Sequence, residues 1–194
     1  MKLNCQFAAP YCIKSDVGCE RMVEMVEYLD KNNQLLGVAP RTEAYQKKYK
    51  LKAAFVILTN SDGEYFISQR SKTKQLYPLK WTVGAGGAVG AGELFEFAAA
   101  RELKEELGAT PTIKYSFDFN YSADFGGYYG QVFLATWNGK IKLQKKEITK
   151  GHWATKEEIL TLAKTGELCP DTKIFFEKYL QITKTKVITK KIKK

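Results

Sequence analysis

Residues 86–109 read GGAVGAGELFEFAAARELKEELGA and determine both the fold and the chemistry of this chain. Three glutamates, Glu102, Glu105 and Glu106, stand at positions i, i+3 and i+4, so on a helix they share one face. Like charges placed in this way repel each other unless a cation lies among them, and hard divalent cations prefer carboxylate oxygens. A glycine-rich turn before the helix lets the backbone approach a ligand closely. The stretch therefore predicts a metal site for phosphate chemistry.

The helix itself is well specified by the sequence. Phe95, Ala99, Leu103 and Leu107 recur every four residues and form a predicted buried stripe. Gly108 follows the last of them and predicts the end of the helix, because glycine readily adopts the left-handed conformation found there. On this helix Arg101 could pair with Glu105, one turn on, or with Glu93, which precedes the helix.

The spacing of the stretch resembles the Nudix box, the signature of the Nudix hydrolases. The positions that fit the pattern are Gly87, Glu93, Arg101, Glu102, Leu103, Glu105, Glu106, Gly108 and Ala109, the last being smaller than the aliphatic residue usual there. So many fixed positions in one short segment make an ordinary amphipathic surface helix a poor alternative. The resemblance implies an α/β (α+β) fold, an α/β/α sandwich with a mixed central sheet, here preceded by an N-terminal hairpin.

The same resemblance implies roles for individual residues. The carboxylates of Glu102, Glu105 and Glu106, together with the backbone oxygen of Gly86, would hold Mg²⁺ or Mn²⁺. Glu102 or Glu106 would be the catalytic base, and Arg101 would orient Glu102. Some family members take the base from a downstream loop, where Glu147 is the candidate in this chain. A solvated acid among lysines is the competing interpretation of Glu147.

A wider resemblance, over roughly residues 22–182, is to the isopentenyl-diphosphate isomerase-like Nudix proteins. The residues on which isomerisation depends are absent, however. Tyr45 and Lys52 stand where the isomerases have two metal histidines. Gly86 and Ala88 replace the catalytic cysteine and the histidine that follows it, and Gly126 and Tyr128 replace two strand glutamates. Moving a double bond needs a proton donor and a proton acceptor across the allylic carbons. The isomerase reaction is therefore excluded, and phosphate handling remains.

Four residues outside the box are candidates for substrate binding. Arg70 and Lys74 match positions at which the isomerase-like branch grips a diphosphate, and Arg41 falls where that branch has a lysine. Arginine forks suit phosphate oxygens. Tyr128, beside Tyr129, could stack on a base or another flat group. Each cation could instead be an ordinary surface charge, and Tyr128 could be a core aromatic.

We therefore expect a metal-dependent Nudix hydrolase that acts on a small-molecule diphosphate, either a nucleoside diphosphate linked to another moiety or a related organic diphosphate. Two other classes stay open. One is a weakly active or inactive Nudix-fold binding module, because a fold does not fix a function. The other is an RNA-directed pyrophosphohydrolase, such as a cap-removing enzyme, to which a basic tail would supply affinity for the RNA backbone.

Length and composition predict one domain. The resemblance implies that this is a Nudix domain over residues 22–182, between an N-terminal extension (residues 1–21) and a lysine-rich tail (residues 183–194). The chain has 194 residues and a net charge of +10, to which the tail contributes six lysines. We expect the tail to be a frayed strand or a disordered arm. Four cysteines without a CxxC pair indicate free thiols and a cytoplasmic protein. We expect no membrane span, and a homodimer could form through the hairpin or the aromatic strands.

Outside the box, turn signals and hydrophobic runs predict the remaining elements. The predicted strands are residues 25–28 and 35–38 (the hairpin), 53–59, 65–69, 112–121, 129–137 and 140–143, the last introduced by the turn dipeptide Asn138-Gly139. Pro78 and three glycines predict a loop before the acidic helix. Two further helices are predicted, one over residues 155–164 with Thr155 as N-cap, and one over residues 172–180 after Pro170.

Overall fold

The structure is a computed structural model that describes the backbone of residues 23–192 and the side chains of residues 23–185. The predicted N-terminal extension, with three of the four cysteines, lies outside the described residues. The described chain contains nine strands: β1 (Met25–Leu29), β2 (Leu35–Pro40), β3 (Lys50–Thr59), β4 (Tyr65–Arg70), β5 (Trp81–Val83), β6 (Ala85–Ala88), β7 (Lys114–Tyr121), β8 (Tyr128–Thr136) and β9 (Ile148–Ala154). Its four helices are α1 (Arg41–Gln46), α2 (Phe95–Leu107), α3 (Lys156–Lys164) and α4 (Pro170–Ile192).

The strand order is β2-β1-β3-β4-β5, with β6 and β8 paired to β3, β7 to β8, and β9 to β4. The hairpin β1–β2 forms as predicted, with an irregularity in its register between Tyr28 and Leu29. The segment predicted as a loop before the acidic helix instead contains the short strands β5 and β6. Gly84 joins them at a φ of 69°, where a Cβ would lie 1.8 Å from the Val56 carbonyl oxygen. This close backbone approach explains why a glycine-rich segment can still pair as strand.

By internal contacts the chain divides into two compact units, described separately below. Unit 1 comprises residues 23–55, Gly86–Glu102 and Tyr115–Phe133. Unit 2 comprises Val56–Ala85, Leu103–Lys114 and residues 134–192.

The core of unit 1 is rich in aromatic rings. Phe55, Phe119, Tyr121 and Tyr128 are buried and pack against one another with ring centroids 5.2–6.0 Å apart. The predicted long aromatic strands, now β7 and β8, supply three of these rings. Aromatic pairs at this separation stabilise a core beyond the area that they bury.

In unit 2, strand β4 lies between β5 and β9. Phe66, Ile67, Phe175 and Phe176 are buried in this unit. Helix α3 begins as predicted, because the Thr155 side chain accepts a hydrogen bond from the Glu158 amide. Cys169 is a buried free thiol, as expected, and burial raises its pKa to about 12.

Two predictions about the C-terminal half are wrong. Residues 140–143 are not a strand, because the Lys142 and Gln144 amides donate to the carbonyl oxygens of Leu107 and Glu106 at the end of α2. The basic tail is neither a frayed strand nor a disordered arm as far as residue 192, because α4 continues to Ile192. No helix in the described residues is long and apolar enough to cross a membrane.

Candidate functional site

Helix α2 has the buried stripe that the sequence predicts. Ala99, Leu103 and Leu107 are buried, and Phe95 is half-buried. The helix ends at Leu107, and Gly108 forms the expected C-terminal cap: its φ is 65°, and its amide N–H donates to the Lys104 carbonyl oxygen. The helix that carries the three glutamates is therefore fixed by local rules of packing and capping.

The three glutamates of α2 differ in their environment. Glu102 and Glu106, one turn apart, keep only 9% and 5% of their surface exposed, whereas Glu105 is exposed. Burying two like charges on one side of a helix costs free energy that a cation can offset. Their oxygens have the chemistry that Mg²⁺ or Mn²⁺ requires. As the side chains stand, no group of three or more His, Cys, Asp or Glu in the described part of the chain is arranged to hold a metal ion.

The backbone of β6 lies against the Glu102 carboxylate. A Cβ added to Gly87 would stand 2.4 Å from Glu102 Oε1, far inside van der Waals contact. A Cβ on Gly86 would stand 2.6 Å from Phe55 Cδ1 and 2.7 Å from the Ala54 carbonyl oxygen. Gly86 therefore needs glycine because it faces backbone, whereas a side chain at Gly87 would force the Glu102 carboxylate to shift. The backbone of β6 thus lies directly beside Glu102.

Arg101 links this helix to the segment before it. Its Nε and Nη2 donate to the two carboxylate oxygens of Glu93 at 2.9 and 3.0 Å, and its Nη1 donates to Glu102 Oε1 at 2.8 Å. The Arg101 pKa is raised, chiefly by the hydrogen bond to Glu93 and against the effect of burial. Glu93 Oε2 also accepts from the Gly90 amide at 2.8 Å. A fork that is held on one side by Glu93 fixes the Glu102 carboxylate on the other.

A second ion pair, which the sequence did not reveal, supports the start of α2. Lys52 Nζ donates to Glu27 Oε2, and the other Glu27 oxygen accepts from the Gly92 amide at 2.9 Å. Burial raises the Glu27 pKa, but the bonds from Lys52 and Gly92 lower it by more, so the net shift is downward. Lys52 Nζ also lies 5.7 Å from the centre of the Phe95 ring. The pairing of β1 with β3 is what brings Glu27 and Lys52 together.

Arg41 lies at the start of α1, after the hairpin. Its Nη1 donates to both carboxylate oxygens of Glu24, at 2.8 and 2.7 Å, and its guanidinium is 5.7 Å from the centre of the Tyr45 ring. Burial would lower the Arg41 pKa, but the charges of Tyr45, Glu24 and Glu102 raise it. The charge of Glu102 is thus within electrostatic reach of Arg41.

Tyr128 lies inside the aromatic core. Only 7% of its surface is exposed, and its ring packs against Phe55, Phe119, Tyr121 and Phe125. The rings that keep partial exposure near it are Tyr45 and Phe125, whose centroids are 5.9 Å apart in an edge-to-face arrangement.

In unit 2 the structure brings together two of the predicted residues. Lys74 Nζ donates to Glu147 Oε2, and their side chains are 18% and 37% exposed. The Glu147 carbonyl oxygen also accepts from the Ser71 amide at 2.7 Å. The Nε of Arg70 donates to the Leu76 carbonyl oxygen at 3.0 Å. Glu147, a candidate base, and Lys74, a candidate phosphate-binding residue, therefore form an ion pair with each other in this structure.

The sequence matches a known domain family and known proteins. Residues 49–174 match the model of the NUDIX domain family. An uncharacterized Nudix hydrolase of Pseudomonas aeruginosa is 32% identical over 150 residues, which cover 77% of this chain and 89% of that protein.

Two solved structures show the same fold. The crystal structure of a Deinococcus radiodurans protein matches with a TM-score of 0.65 and 25% identity, over 75% of this chain and 92% of that one. The NUDIX domain of Shewanella oneidensis NrtR, solved with ADP ribose, matches with a TM-score of 0.58 and 16% identity, over 75% of this chain and 99% of that one. These likenesses confirm the predicted mixed α+β fold.

Proposed function

The chain belongs to the Nudix hydrolase family, which hydrolyses acid anhydrides, and on that premise we propose that its substrate is a nucleoside diphosphate linked to another moiety or a related organic diphosphate. The observation that carries this proposal is the pair of buried carboxylates on α2. Glu102 and Glu106 lie one turn apart, and Glu102 is held by Arg101 and lies against Gly87. ADP ribose, the ligand of the Shewanella NUDIX domain, is one member of the proposed substrate class.

In the proposed reaction, water attacks phosphorus and the bond from that phosphorus to the bridging oxygen breaks. The proton of the water passes to a carboxylate, for which Glu102 and Glu106 are our candidates. Glu147 is the alternative base from the downstream segment. The leaving phosphate keeps the bridging oxygen, so one diphosphate and one water give two monophosphates.

We propose that Glu102, Glu105, Glu106 and the Gly86 carbonyl oxygen hold Mg²⁺ or Mn²⁺. When bound, such an ion stabilises the negative charge that develops on the phosphoryl oxygens. The exposure of Glu105 makes it the outer member of this set. Arg101 acts as a positioning residue, because its fork fixes the Glu102 carboxylate.

For the substrate, we propose that Arg41, Arg70 and Lys74 contact phosphate. The charge of Glu102 contributes to the raised pKa of Arg41, which supports this role for Arg41. Lys74 would bind phosphate while it also pairs with Glu147. Tyr128 would contact substrate only at the small part of its ring that stays exposed. Membership of the isomerase-like branch, a cytoplasmic location, a homodimer, and contact of RNA with the lysine tail also stay proposals.

The experiment that tests the proposed function measures cleavage of a panel of nucleoside diphosphate derivatives, prenyl diphosphates and capped RNA, with the phosphorylated products detected by chromatography. Each substrate is assayed with Mg²⁺, with Mn²⁺ and with EDTA. We expect metal-dependent cleavage of the nucleoside diphosphate derivatives that EDTA abolishes. Cleavage of capped RNA alone would favour the RNA-directed alternative, and metal binding without any cleavage would favour a binding module.

A further inference from the structure

A series of contacts in unit 1 connects Glu102 to two half-exposed rings. The Glu102 carboxylate lies against Gly87, and the preceding Gly86 lies against Phe55. Phe55 packs on Tyr128 with centroids 5.5 Å apart, and Tyr128 packs on Phe125 at 6.3 Å. This half of the series runs from the candidate metal ligands through the buried core.

The series continues from Phe125 to residues of α1, which follows the hairpin. Phe125 meets Tyr45 edge to face at 5.9 Å, and the Arg41 guanidinium lies 5.7 Å from the centre of the Tyr45 ring. Arg41 is the last member of the series, and the charge of Glu102 contributes to its raised pKa. The inner rings, Phe55 and Tyr128, are buried, whereas Tyr45, Phe125 and Arg41 are half-exposed. These three are therefore the members that a bound molecule could touch.

The loop that carries Phe125 is held tightly in place. Gly126 and Gly127 have φ values of 106° and 83°, and a Cβ on Gly126 would lie 2.3 Å from the Lys48 carbonyl oxygen. The Gly127 carbonyl oxygen accepts from the Leu51 amide at 3.1 Å. The loop thus packs directly on the chain that follows α1. Rings held in this way lose little freedom when a ligand binds, which favours affinity.

We propose that Tyr45 and Phe125, beside Arg41, form the subsite for the nucleobase of the substrate. Aromatic rings stack on any base, because every base has a π face, and the neighbouring Arg41 is the residue proposed above to contact phosphate. The subsite deepens the proposed function and rests on it, since it assigns the substrate to the nucleoside class rather than the prenyl class. Tyr45 and Phe125 are then specificity-determining residues, and buried Tyr128 packs against Phe125.

The test is a binding measurement that needs no turnover. Isothermal titration with Mg²⁺ present compares AMP with ribose 5-phosphate, which lacks the base. We expect wild type to bind AMP more tightly than ribose 5-phosphate. Tyr45→Ala and Phe125→Ala should each weaken AMP binding about tenfold and leave the affinity for ribose 5-phosphate unchanged. Because no bond is cleaved, a failure of this test is distinct from the absence of hydrolase activity.

Two matched controls sharpen the result. Tyr115→Ala removes an exposed ring of the same unit that packs edge to face on Phe133, and it should leave both affinities unchanged. Tyr45→Leu and Phe125→Leu keep an apolar side chain without a π face, so stacking predicts that they behave like the alanine variants. The proposal would be overturned if wild type bound the two ligands with equal affinity or showed no saturable binding of AMP. Full AMP affinity in the leucine variants, or variants that lose affinity for both ligands equally, would also overturn it.

Discussion

Helix α2 and the segment that carries Glu147 both present carboxylates, but they hold them in different ways. On α2 the Glu102 carboxylate is buried, accepts a hydrogen bond from Arg101 and lies against Gly87. Glu147 follows an irregular stretch, is 37% exposed on its side chain, and pairs with the single flexible amine of Lys74. An arginine fork fixes geometry, whereas a lysine contributes mainly a point charge. A preorganised carboxylate can therefore be distinguished from one that only has an ion-pair partner by the residue that binds it.

The largest expected effect comes from the buried glutamates of α2. Glu102→Gln or Glu106→Gln should lower kcat by about 10²–10⁴-fold, because each removes a candidate base. Rates are measured on the substrate that the panel identifies, and circular dichroism checks the fold. Glu96→Gln, an exposed glutamate on the same helix, is the matched control and should retain wild-type activity. Wild-type rates in both buried-glutamate variants would remove these residues from the reaction.

Gly87 tests whether the position of Glu102 matters as much as its charge. Gly87→Ala should lower kcat by about 10²-fold, because the new Cβ would displace the carboxylate by roughly an ångström. Gly63→Ala is the control for adding a methyl group where no atom lies within 4 Å of the new Cβ; its φ of 79°, unlike that of Gly87, is positive, so a small loss of stability is its expected effect. Equal rates in the two variants would mean that the approach of β6 to Glu102 has no role in the reaction.

Arg101 tests the value of the fork itself. Arg101→Lys keeps the charge but cannot contact Glu93 and Glu102 with the same geometry, so we expect a loss of about tenfold in kcat. The Km for the substrate should change little, because Arg101 acts on Glu102 rather than on the substrate. Lys104→Met, on the exposed side of α2, is the control. An unchanged kcat in Arg101→Lys would show that charge alone suffices.

The smallest effect on kcat should come from changing Glu147 or its partner Lys74. Glu147→Gln should lower kcat by less than about tenfold and leave the pH profile unchanged, because a partly exposed ion pair contributes little. Lys74→Met should show a similar change in kcat, with any further effect confined to Km. A loss as great as that of Glu106→Gln, with an altered acid limb of the pH profile, would instead make Glu147 the base.

The same two regions show what could be predicted from the sequence. Helix α2 follows local rules, namely a four-residue apolar repeat and a glycine cap, and both appear in the structure. The segment after β8 does not follow the local turn signal in its sequence. Asn138-Gly139 predicts a hairpin, but the Trp137 amide donates to the Thr59 carbonyl oxygen, and Asn138 Oδ1 accepts from the Ser61 amide. Contacts with a distant turn therefore override the local turn signal.

Other elements were missed for the same physical reason. Strand β9 contains Gly151 and a polar run, and its pairing with β4 is visible only in three dimensions. In α4, the Thr183 and Thr185 hydroxyls donate to the carbonyl oxygens of Tyr179 and Gln181 one turn earlier. These bonds satisfy the hydroxyls within a helix, although the alternation of lysine with β-branched residues favoured a strand.

For the candidate site, the resemblance to the Nudix box identified the glutamates, but not which of them are buried. Burial separates Glu102 and Glu106 from Glu105, and it depends on how α2 packs. The support from Glu27 and Lys52 likewise depends on the pairing of two strands that are distant in sequence. Residue type and spacing predicted which residues form the candidate site, whereas tertiary packing determines which of its glutamates are buried.

The most direct test of the central claim is an isothermal titration of the protein with Mn²⁺. We predict saturable binding by wild type and by Glu96→Gln, with affinity at least about tenfold weaker in Glu106→Gln. Equal affinity in wild type and Glu106→Gln, or no binding by wild type, would contradict the claim that the buried carboxylates of α2 form the metal site.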